Sequence, residues 1–240
     1  MAKFYGRYGL GAIIEYFLED SLGSTYRRLG LDKNSRILDI GCADGFLPYM
    51  LAEAGFKNVT GIDPYIQSDA TYENGAKVFK KELCECTDGM YDVITLNHVF
   101  EHLPDQLETL VEIKRLLSNG GKLVIRIPTS TSDAFEKFNA HWYQLDAPRH
   151  LYLHSHKSII ELLNKAGFKS IDLFCDSTIW QYYSSELYLK DYPFNVHMKK
   201  YLINIPRLLL TGGLNRYKKK VLEVNAKLRG DQIVVVAIRK

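Results

Sequence analysis

Apolar residues along the chain fall into two alternating patterns, short runs of strand length and longer stretches with helical spacing. The runs that predict strands are RILDI, NVTGID, KVFKKEL, YDVITLNHV, KLVIRIP, SIDLFCDS and QIVVVAIR. Helical spacing occurs in FLPYMLAEAG, closed by Gly55, in QLETLVEIKRLLSNGG, ended by Asn119 and Gly120, and in SHKSIIELLNKAG, capped by Ser155. Seven strands with interleaved helices predict an α/β fold with a doubly wound sheet.

The spacing of these elements predicts a single domain, 1–240, with one long helical insertion. Residues 10–29 have helical apolar spacing and precede the first strand. A second long connection, 129–154, follows the fifth strand. Roughly fifty residues rich in Tyr and Lys separate the last two strands, far more than a usual connection. We therefore divide the chain into an N-terminal helical segment at 1–30, a core at 31–177, a helical cap at 178–230 and a final strand at 231–240.

Length and composition are those of a soluble globular protein with one hydrophobic core. The longest apolar runs have strand length, so we expect no transmembrane helix, and the N-terminus lacks the features of a signal peptide. Cys42, Cys84, Cys86 and Cys175 form no C-x-x-C pair. We expect reduced, mostly buried thiols in a cytoplasmic protein, and we predict no metal site.

Positive charge is concentrated in the second half of the cap. Between Lys190 and Arg229 the sequence has ten Lys and Arg residues, and its acids there are Asp191 and Glu223. Such asymmetry is typical of a surface that meets an anionic partner. A solvated face of basic helices explains the same pattern equally well.

The stretch ILDIGCADG combines an acid with a glycine turn. Asp39 ends a strand, Gly41 and Gly45 follow, and a helical pattern begins after them. A dinucleotide site would have G-x-G-x-x-G, because a pyrophosphate must approach the backbone closely, and a carboxylate would repel it. Asp63 ends the next strand, where an acid can accept both ribose hydroxyls. The combination favours a cofactor that carries positive charge, such as S-adenosylmethionine; a capping role explains Asp39 only when it is taken alone.

Four motifs in register resemble those of class I S-adenosylmethionine-dependent methyltransferases: ILDIGCADG, GIDPY, YDVITLNHVFEHLPD and IKRLLSNGGKLVIRIP. They cover residues 36–128 in the family's order, and KSIIELLNKAGF and the closing strand extend the match. The resemblance implies a seven-stranded, mostly parallel sheet with the last strand antiparallel, and a core that binds the cofactor.

The resemblance also implies roles for individual residues. The turn, made of Asp39, Gly41, Cys42, Ala43 and Gly45, would hold the methionine end of the cofactor. Asp63 would bind the ribose, and Pro64 and Tyr65 would flank the adenine. Glu82 and Leu83 would lie by the adenine edge, although KKELCEC can be aligned in more than one way. Asn97 and His98 would line the floor below the sulfonium. Ala43 departs from the family, in which many members have glycine.

Transfer of a methyl group to a hydroxyl requires alignment and removal of a proton, so we looked for bases near the carboxyl edge of the sheet. The candidates are His98, His102, His141, Tyr143, Arg149, His150, His154 and His156. We interpret His102 as a helix-start or packing residue, His98 as a cofactor contact, and His154 and His156 as surface or capping residues.

YQLDAPRHLYLHS resembles a branch of methyltransferases of glycan and secondary-metabolite pathways, in which this segment closes over the acceptor. We expect Asp146 to pair with Arg149 and so order the loop. Arg149 and His150 are then the catalytic candidates, with His98 beside them and His150 as the base. The alternative is that the ion pair merely folds the loop.

The cap adds Trp180, Tyr182, Tyr183, Tyr188, Tyr192, Tyr201 and Tyr217 to its cations. Aromatic rings stack on sugars and cations hold phosphates, so a small or glycan-related acceptor, such as a phosphorylated or acidic sugar, satisfies both features. Core packing of the cap helices is the competing explanation of the aromatic residues. A second alternative is that YLINIPRLLLTGGL, with the lysines beside it, lies on a membrane surface.

Two further hypotheses belong to other classes. A nucleic-acid methyltransferase would use the basic cap to hold phosphates, although the sequence has neither an RNA-binding module nor an N-P-P-Y motif after the fourth strand. A non-catalytic cofactor-binding protein would keep the fold alone, which the intact acids and glycines argue against. We therefore predict an O-methyltransferase of a small or glycan-related acceptor. The sequence does not determine the identity of the acceptor or the oligomeric state.

Overall fold

A computed structural model describes residues 25–26, 28–87 and 89–239. The helix expected at 10–29 lies almost wholly outside these residues. The described residues form one eight-stranded sheet in the order β3-β4-β2-β1-β5-β6-β8-β7. Its strands are β1 Arg36–Ile40, β2 Asn58–Ile62, β3 Ala70–Thr71, β4 Lys77–Phe79, β5 Tyr91–Asn97, β6 Leu117–Pro128, β7 Phe168–Cys175 and β8 Gln232–Arg239.

Helices connect most of these strands and cover both faces of the sheet. In the described residues they are α1 Phe46–Glu53, α2 Gln106–Leu116, α3 Asp133–Phe138, α4 His156–Lys165, α5 Trp180–Tyr188, α6 His197–Leu210 and α7 Gly213–Ala226. Buried side chains of α2 and α4 pack on one face of the sheet, and those of α1 pack on the other. None of the described helices is long and apolar enough to cross a membrane.

The pairing of the strands confirms the predicted α/β class. Strands β4, β2, β1, β5 and β6 run parallel, and β8 lies antiparallel between β6 and β7. Parallel strands direct their carboxyl ends to one edge of the sheet, and β7 ends at the same edge. That edge therefore collects the residues that follow β1, β2, β5, β6 and β7, and those that precede β8.

The expected count of seven strands is low by one, because β3 pairs antiparallel with β4. A tight turn closes this hairpin: the amide of Tyr72 donates to the carbonyl of Ala76, and Gly75 has φ +90°. Asn-Gly at 74–75 is a typical hairpin turn. The two residues of β3 are too few to show an alternating pattern, so no periodicity in the sequence predicts this strand.

The predicted end of the second helix at Asn119 and Gly120 is wrong. Helix α2 ends at Leu116, and Leu117 already pairs with Tyr91 in the sheet. The register then shifts, so that Lys122 pairs with Val93. A bulge inside the strand contains Ser118, Asn119, Gly120 and Gly121. These residues do not end the helix, because Leu117 before them is fully buried in the core as part of β6.

Three helices, α5 to α7, lie between β7 and β8 and form their own hydrophobic cluster with α3. Tyr182, Tyr183 and Tyr201 are buried in this cluster, and Trp180 packs edge-on against Tyr183. These aromatic side chains therefore serve packing, which was the competing explanation for them. The four cysteines are free thiols, and Cys84 is the exposed one.

Candidate cofactor and acceptor site

The glycine turn after β1 has left-handed backbone at three positions, Gly41 (φ +69°), Ala43 (φ +47°) and Gly45 (φ +81°). The amides of Gly41 and Cys42 donate to the carbonyl of Ile62 at 2.8 and 3.2 Å, which ties the turn to β2. A Cβ atom at Gly41 would lie 2.5 Å from Val99 Cγ2, so this position requires glycine. The turn is thus a tightly packed main-chain loop.

Two members of the turn, Cys42 and Gly45, are packed closely against the protein. Cys42 is buried against Gly61 of β2, and burial raises the pKa of its thiol. A Cβ atom at Gly45 would overlap the side chain of Val78. These residues can therefore offer main-chain groups to a ligand, and the thiol of Cys42 does not take part.

Asp39 lies beneath the turn and is only 3% exposed. Its Oδ1 accepts hydrogen bonds from Thr95 Oγ1 at 2.7 Å and from Asn97 Nδ2 at 3.2 Å. Burial raises the pKa of Asp39 to about 7, and the two hydrogen bonds oppose that rise. A cation at the edge would favour the ionised form, so Asp39 is matched to a positively charged ligand.

Asp63 follows β2, and its carboxylate is held by two main-chain amides. Oδ2 accepts from Ala43 at 2.9 Å and Oδ1 from Tyr65 at 2.8 Å. Each oxygen keeps a second lone pair for a further donor, such as a ribose hydroxyl. The Tyr65 side chain is 93% exposed beside Pro64 and is available to stack on a ring.

Glu82 and Leu83, which were expected by the adenine edge, follow β4 and make local packing contacts. Glu82 caps the short 3-10 helix Leu83–Glu85, in which the amide of Glu82 donates to Glu85 Oε2 at 2.7 Å. Leu83 packs against the main core cluster. Glu82 is exposed, whereas its carboxylate is already engaged in the capping box.

Asn97 ends β5, His98 follows it, and the two side chains have different neighbours. The Asn97 amide bonds to Asp39, as described above. His98 has φ +53°, its amide donates to Arg126 O at 2.9 Å, and its Nδ1 lies 3.4 Å from Glu101 Oε1. The imidazole of His98 therefore lies next to the carboxylate of Glu101.

The loop after β6 contains the expected ion pair. Arg149 Nη2 lies 2.7 Å from Asp146 Oδ2, and the Arg149 side chain is 71% exposed. Its carbonyl oxygen is 2.9 Å from His102 Nδ1. Arg149 thus orders the loop through Asp146 and holds His102 through its main chain, and its guanidinium points away from the buried groups.

His150 lies inside, with 9% of its side chain exposed. Its Nδ1 is 2.8 Å from the carbonyl oxygen of Gln144, and its Nε2 is 3.8 Å from Glu101 Oε1 and 3.7 Å from Asp146 Oδ2. Burial lowers the pKa of His150, and the charge of Glu101 partly opposes this. The ring of His102 meets the ring of His150 edge-on at 4.7 Å.

Glu101 is the residue that sequence reasoning missed. It is 1% exposed, and neither of its carboxylate oxygens has a hydrogen-bond partner. The motif VFEHL offered one local sign, an acid directly before a histidine in a segment that follows a buried strand. Its relation to His150 depends on the fold, because the two residues are 49 positions apart.

A second buried polar group, also missed, anchors the loop. Asp231, just before β8, accepts from Trp142 Nε1 at 3.1 Å and from Gln144 Nε2 at 2.8 Å. Burial raises the pKa of Asp231. Next to β7, Asp176 Oδ2 lies 2.8 Å from Arg126 Nε. Since the carbonyl of Gln144 meets His150, Asp231 holds His150 in place indirectly.

The remaining histidine candidates lie apart from this cluster. His154 bonds to Gln106 Oε1 at 2.9 Å and to Ser158 Oγ at 3.1 Å, which uses both ring nitrogens. His156 is the first residue of α4, after the capping Ser155. His141 is exposed in the short 3-10 helix Asn139–His141. The fold therefore brings together His98, Glu101, His102 and His150.

A doubly wound sheet with a glycine turn after β1, an acid near the end of β1 and another directly after β2 defines the class I S-adenosylmethionine-dependent methyltransferase fold. A solved S-adenosylmethionine-dependent methyltransferase from Archaeoglobus fulgidus superposes with a TM-score of 0.55, covering 96% of this chain and 100% of that chain at 19% identity. At this identity the likeness shows the fold.

Residues 14–173 match the methyltransferase domain family, and the chain belongs to that family. S-adenosylmethionine is accordingly its cofactor. Curated relatives include a tRNA U34 carboxymethyltransferase from Nautilia profundicola, 29% identical over 39% of this chain and 34% of its own length. A ubiquinone biosynthesis O-methyltransferase from Aromatoleum aromaticum is 32% identical over 39% of this chain and 46% of its own length. The chain thus matches less than half the length of these relatives.

Proposed function

We propose that the protein transfers the methyl group of S-adenosylmethionine to an oxygen atom of a small or glycan-related, acidic acceptor. The acceptor oxygen would attack the methyl carbon, the carbon–sulfur bond would break, and the electron pair would remain on sulfur. The main support for oxygen as the methylated atom is the position of His150. Its Nε2 faces inward, in a buried cluster at the edge where the carboxyl ends of the parallel strands lie. The ubiquinone biosynthesis O-methyltransferase among the relatives supports transfer to oxygen.

For the cofactor we propose the contacts that the family motif implies. Main-chain groups of the turn at 41–45 would bind the methionine end, and Asp39 would supply negative charge beneath it. Asp63 would accept the ribose hydroxyls with its free lone pairs, and Tyr65 would cover the adenine. Asn97, already bonded to Asp39, would lie below the sulfonium.

For the acceptor we propose that His150 activates the hydroxyl, with His98 beside it and Arg149 as the residue that orders the loop. A carbonyl oxygen only accepts, so the contact of His150 Nδ1 with Gln144 places the proton on Nδ1. The Nε2 lone pair is therefore presented towards Glu101 and the site. This geometry suits a base that accepts the proton of the acceptor hydroxyl on Nε2.

The cap, 178–230, would bind the acidic part of the acceptor. A cavity of about 580 Å³ lies among α5, α6 and α7. Its lining includes the cations Lys137, Lys190, Arg207, Arg216 and Lys220. Glu186, the acid of the lining, accepts from Tyr217 Oη at 2.5 Å. The surplus of cations favours a phosphate or carboxylate group.

A second candidate function is methylation of RNA, which the basic cap and the tRNA-modifying relative favour. The cap is also the surface through which peripheral membrane contact would occur, since Leu209 and Leu210 are exposed at the end of α6 beside these cations. A non-catalytic cofactor-binding role is the remaining hypothesis; turnover of the cofactor with any acceptor would exclude it.

A panel of acceptors with methyl-labelled cofactor tests the proposal. Sugar phosphates, nucleotide-sugars, uronic acids, phenols and mixed RNA should be compared at 50 and 500 mM salt. We expect label in an acidic small molecule, lost in His150→Asn while cofactor binding persists. Label only in RNA, with a steep loss at high salt, would favour the second candidate.

A further inference from the structure

We propose that Glu101, His102 and His150 bind a divalent transition-metal ion. Each residue offers one ligand atom, and the three atoms lie within 4.8 Å of one another. Donors about 2.1 Å from a shared tetrahedral ion are roughly 3.4 Å apart. Oε1 of Glu101 and Nε2 of His150 are already 3.8 Å apart, so small rotations of the side chains would complete the site.

The carboxylate of Glu101 lacks the partners that a buried charge requires. Both oxygens are inaccessible to solvent and accept no hydrogen bond. The nearest cationic candidates, His98 Nδ1 at 3.4 Å and His150 Nε2 at 3.8 Å, are too distant for good hydrogen bonds. Buried charges in proteins are paired or coordinate metals, and a cation among these three residues would supply the missing partner.

The two histidines are held in the tautomer that a metal ligand needs. His102 Nδ1 faces the carbonyl oxygen of Arg149 at 2.9 Å, and His150 Nδ1 faces that of Gln144 at 2.8 Å. Because a carbonyl oxygen only accepts, each Nδ1 carries the hydrogen and each Nε2 carries a lone pair. Metal-binding histidines commonly donate their other N–H to a carbonyl or carboxylate in this way.

The main chain fixes these residues relative to one another. The amides of Leu151 and Tyr152 both donate to the carbonyl of Glu101, at 2.9 and 3.2 Å. The loop that carries His150 is therefore attached directly to the segment that carries Glu101 and His102. Such a framework holds the ligands near their final positions before an ion arrives.

The donor set selects the kind of ion. Two neutral imidazole nitrogens and one carboxylate oxygen suit Zn²⁺, Mn²⁺, Fe²⁺ or Co²⁺, whereas Mg²⁺ and Ca²⁺ prefer oxygen ligands alone. Three protein ligands leave at least one position open, as in catalytic metal sites. Asp146 Oδ2, 3.7 Å from His150 Nε2, is a further donor within reach.

The role of the ion rests on the proposed O-methylation, whereas its binding does not. An acceptor hydroxyl in the open position would have a lowered pKa and would release its proton to solvent water. Its oxygen would then form the bond to the methyl carbon as the carbon–sulfur bond breaks. One lone pair cannot serve two purposes, so His150 would activate the acceptor as a ligand and not as a base.

Titration of the chelator-treated full chain with Zn²⁺, Mn²⁺, Co²⁺ and Mg²⁺ tests the site without cofactor or acceptor. We expect one Zn²⁺ or Co²⁺ per chain by calorimetry, visible d–d absorption for Co²⁺, and weaker binding of Mg²⁺. Glu101→Gln and His150→Asn should each reduce Zn²⁺ affinity at least 100-fold, since each removes a direct ligand. His141→Ala, which changes an exposed histidine outside the cluster, should leave it unchanged.

Circular dichroism will separate loss of a ligand from loss of the fold; if His150→Asn fails to fold, His102→Gln replaces it. Absence of stoichiometric binding, or equal affinity in the wild type and in folded Glu101→Gln, would overturn the site. Metal binding that persists while no acceptor in the panel is methylated would leave the site standing and reject the proposed function. Turnover of an acceptor by the metal-free chain at the full rate would reject only the catalytic role of the ion.

Discussion

The pKa of Asp39 predicts that cofactor affinity depends on pH near neutrality. Burial raises this pKa from 3.8 to about 7 in the free protein. If the ionised form is the one that binds a cationic cofactor, roughly a tenth of the protein is competent at pH 6 and about nine tenths at pH 8. The apparent affinity for S-adenosylmethionine should therefore rise about tenfold, or about 1.4 kcal/mol, over this interval.

Ionisation of Asp39 should lower the stability of the ligand-free protein as pH rises, whereas it raises the affinity for the cofactor. The folded protein keeps a proton on Asp39 between pH 3.8 and about 7, whereas the unfolded chain has already released it. Folding without ligand therefore takes up a proton, and this contribution to stability falls as pH rises through that range. The full effect is on the order of 4 kcal/mol, from about three pKa units at 1.36 kcal/mol each.

Calorimetry at pH 6, 7 and 8, in buffers of different ionisation enthalpy, measures both the affinity and the proton released on binding. Asp39→Asn is the matched variant, because one amide oxygen can keep both hydrogen bonds that Oδ1 now accepts from Thr95 and Asn97. We expect its affinity to be low and nearly independent of pH. Asp44→Asn changes the same charge on the exposed side of the turn and serves as the control. A tenfold rise that persists in Asp39→Asn would refute the assignment.

Three other predictions test separate parts of the structure. Ala43→Gly should stabilise the protein by about 0.5–1 kcal/mol, measured by thermal unfolding, because Ala43 has φ +47°, and Gly30→Ala at φ +59° should destabilise it similarly. Asp63→Ala should weaken cofactor binding by about 3 kcal/mol through lost hydrogen bonds to a charged group, and calorimetry showing full affinity in a folded variant would contradict that role. The double variant Arg207→Glu, Arg216→Glu should raise the KM for the acceptor at low salt and raise it less at high salt, because exposed charges are screened over about 8 Å. If the effect on KM does not depend on salt, the cavity among α5, α6 and α7 does not bind the acidic part of the acceptor.

The fold was predictable because its evidence is local. Strands and helices show their own periodicity, and the stretch ILDIGCADG shows the glycine turn directly after β1. The errors arose where local patterns are weak or compete. The hairpin of β3 is too short to show a period, and Leu117 joins the sheet because it is buried, although the residues after it have the composition of a turn.

The candidate site was predictable only in part, because its electrostatics depend on distant contacts. Asp39 was recognised as an acid at the turn, but its burial beneath Thr95 and Asn97, more than fifty positions away, follows from the pairing of β1 with β5. Glu101 has no periodic signature. Its significance appears once the loop carrying His150 folds back and bonds to its carbonyl through Leu151 and Tyr152.

Asp39 and Glu101 together indicate the function of the edge at which the carboxyl ends of the parallel strands lie. Both carboxyl groups are buried, and neither has a cationic side chain within hydrogen-bonding distance among the contacts of the described residues. Burial without such a partner lowers stability, so an arrangement that repeats this feature twice at one edge is unfavourable for folding alone. It would become favourable if cations occupied the edge as we propose: the sulfonium and ammonium of the cofactor near Asp39, and a metal ion at Glu101. Ligands that bind the folded chain stabilise it, so in this proposal the unfavourable burial of the two carboxyl groups in the free protein would favour positively charged ligands.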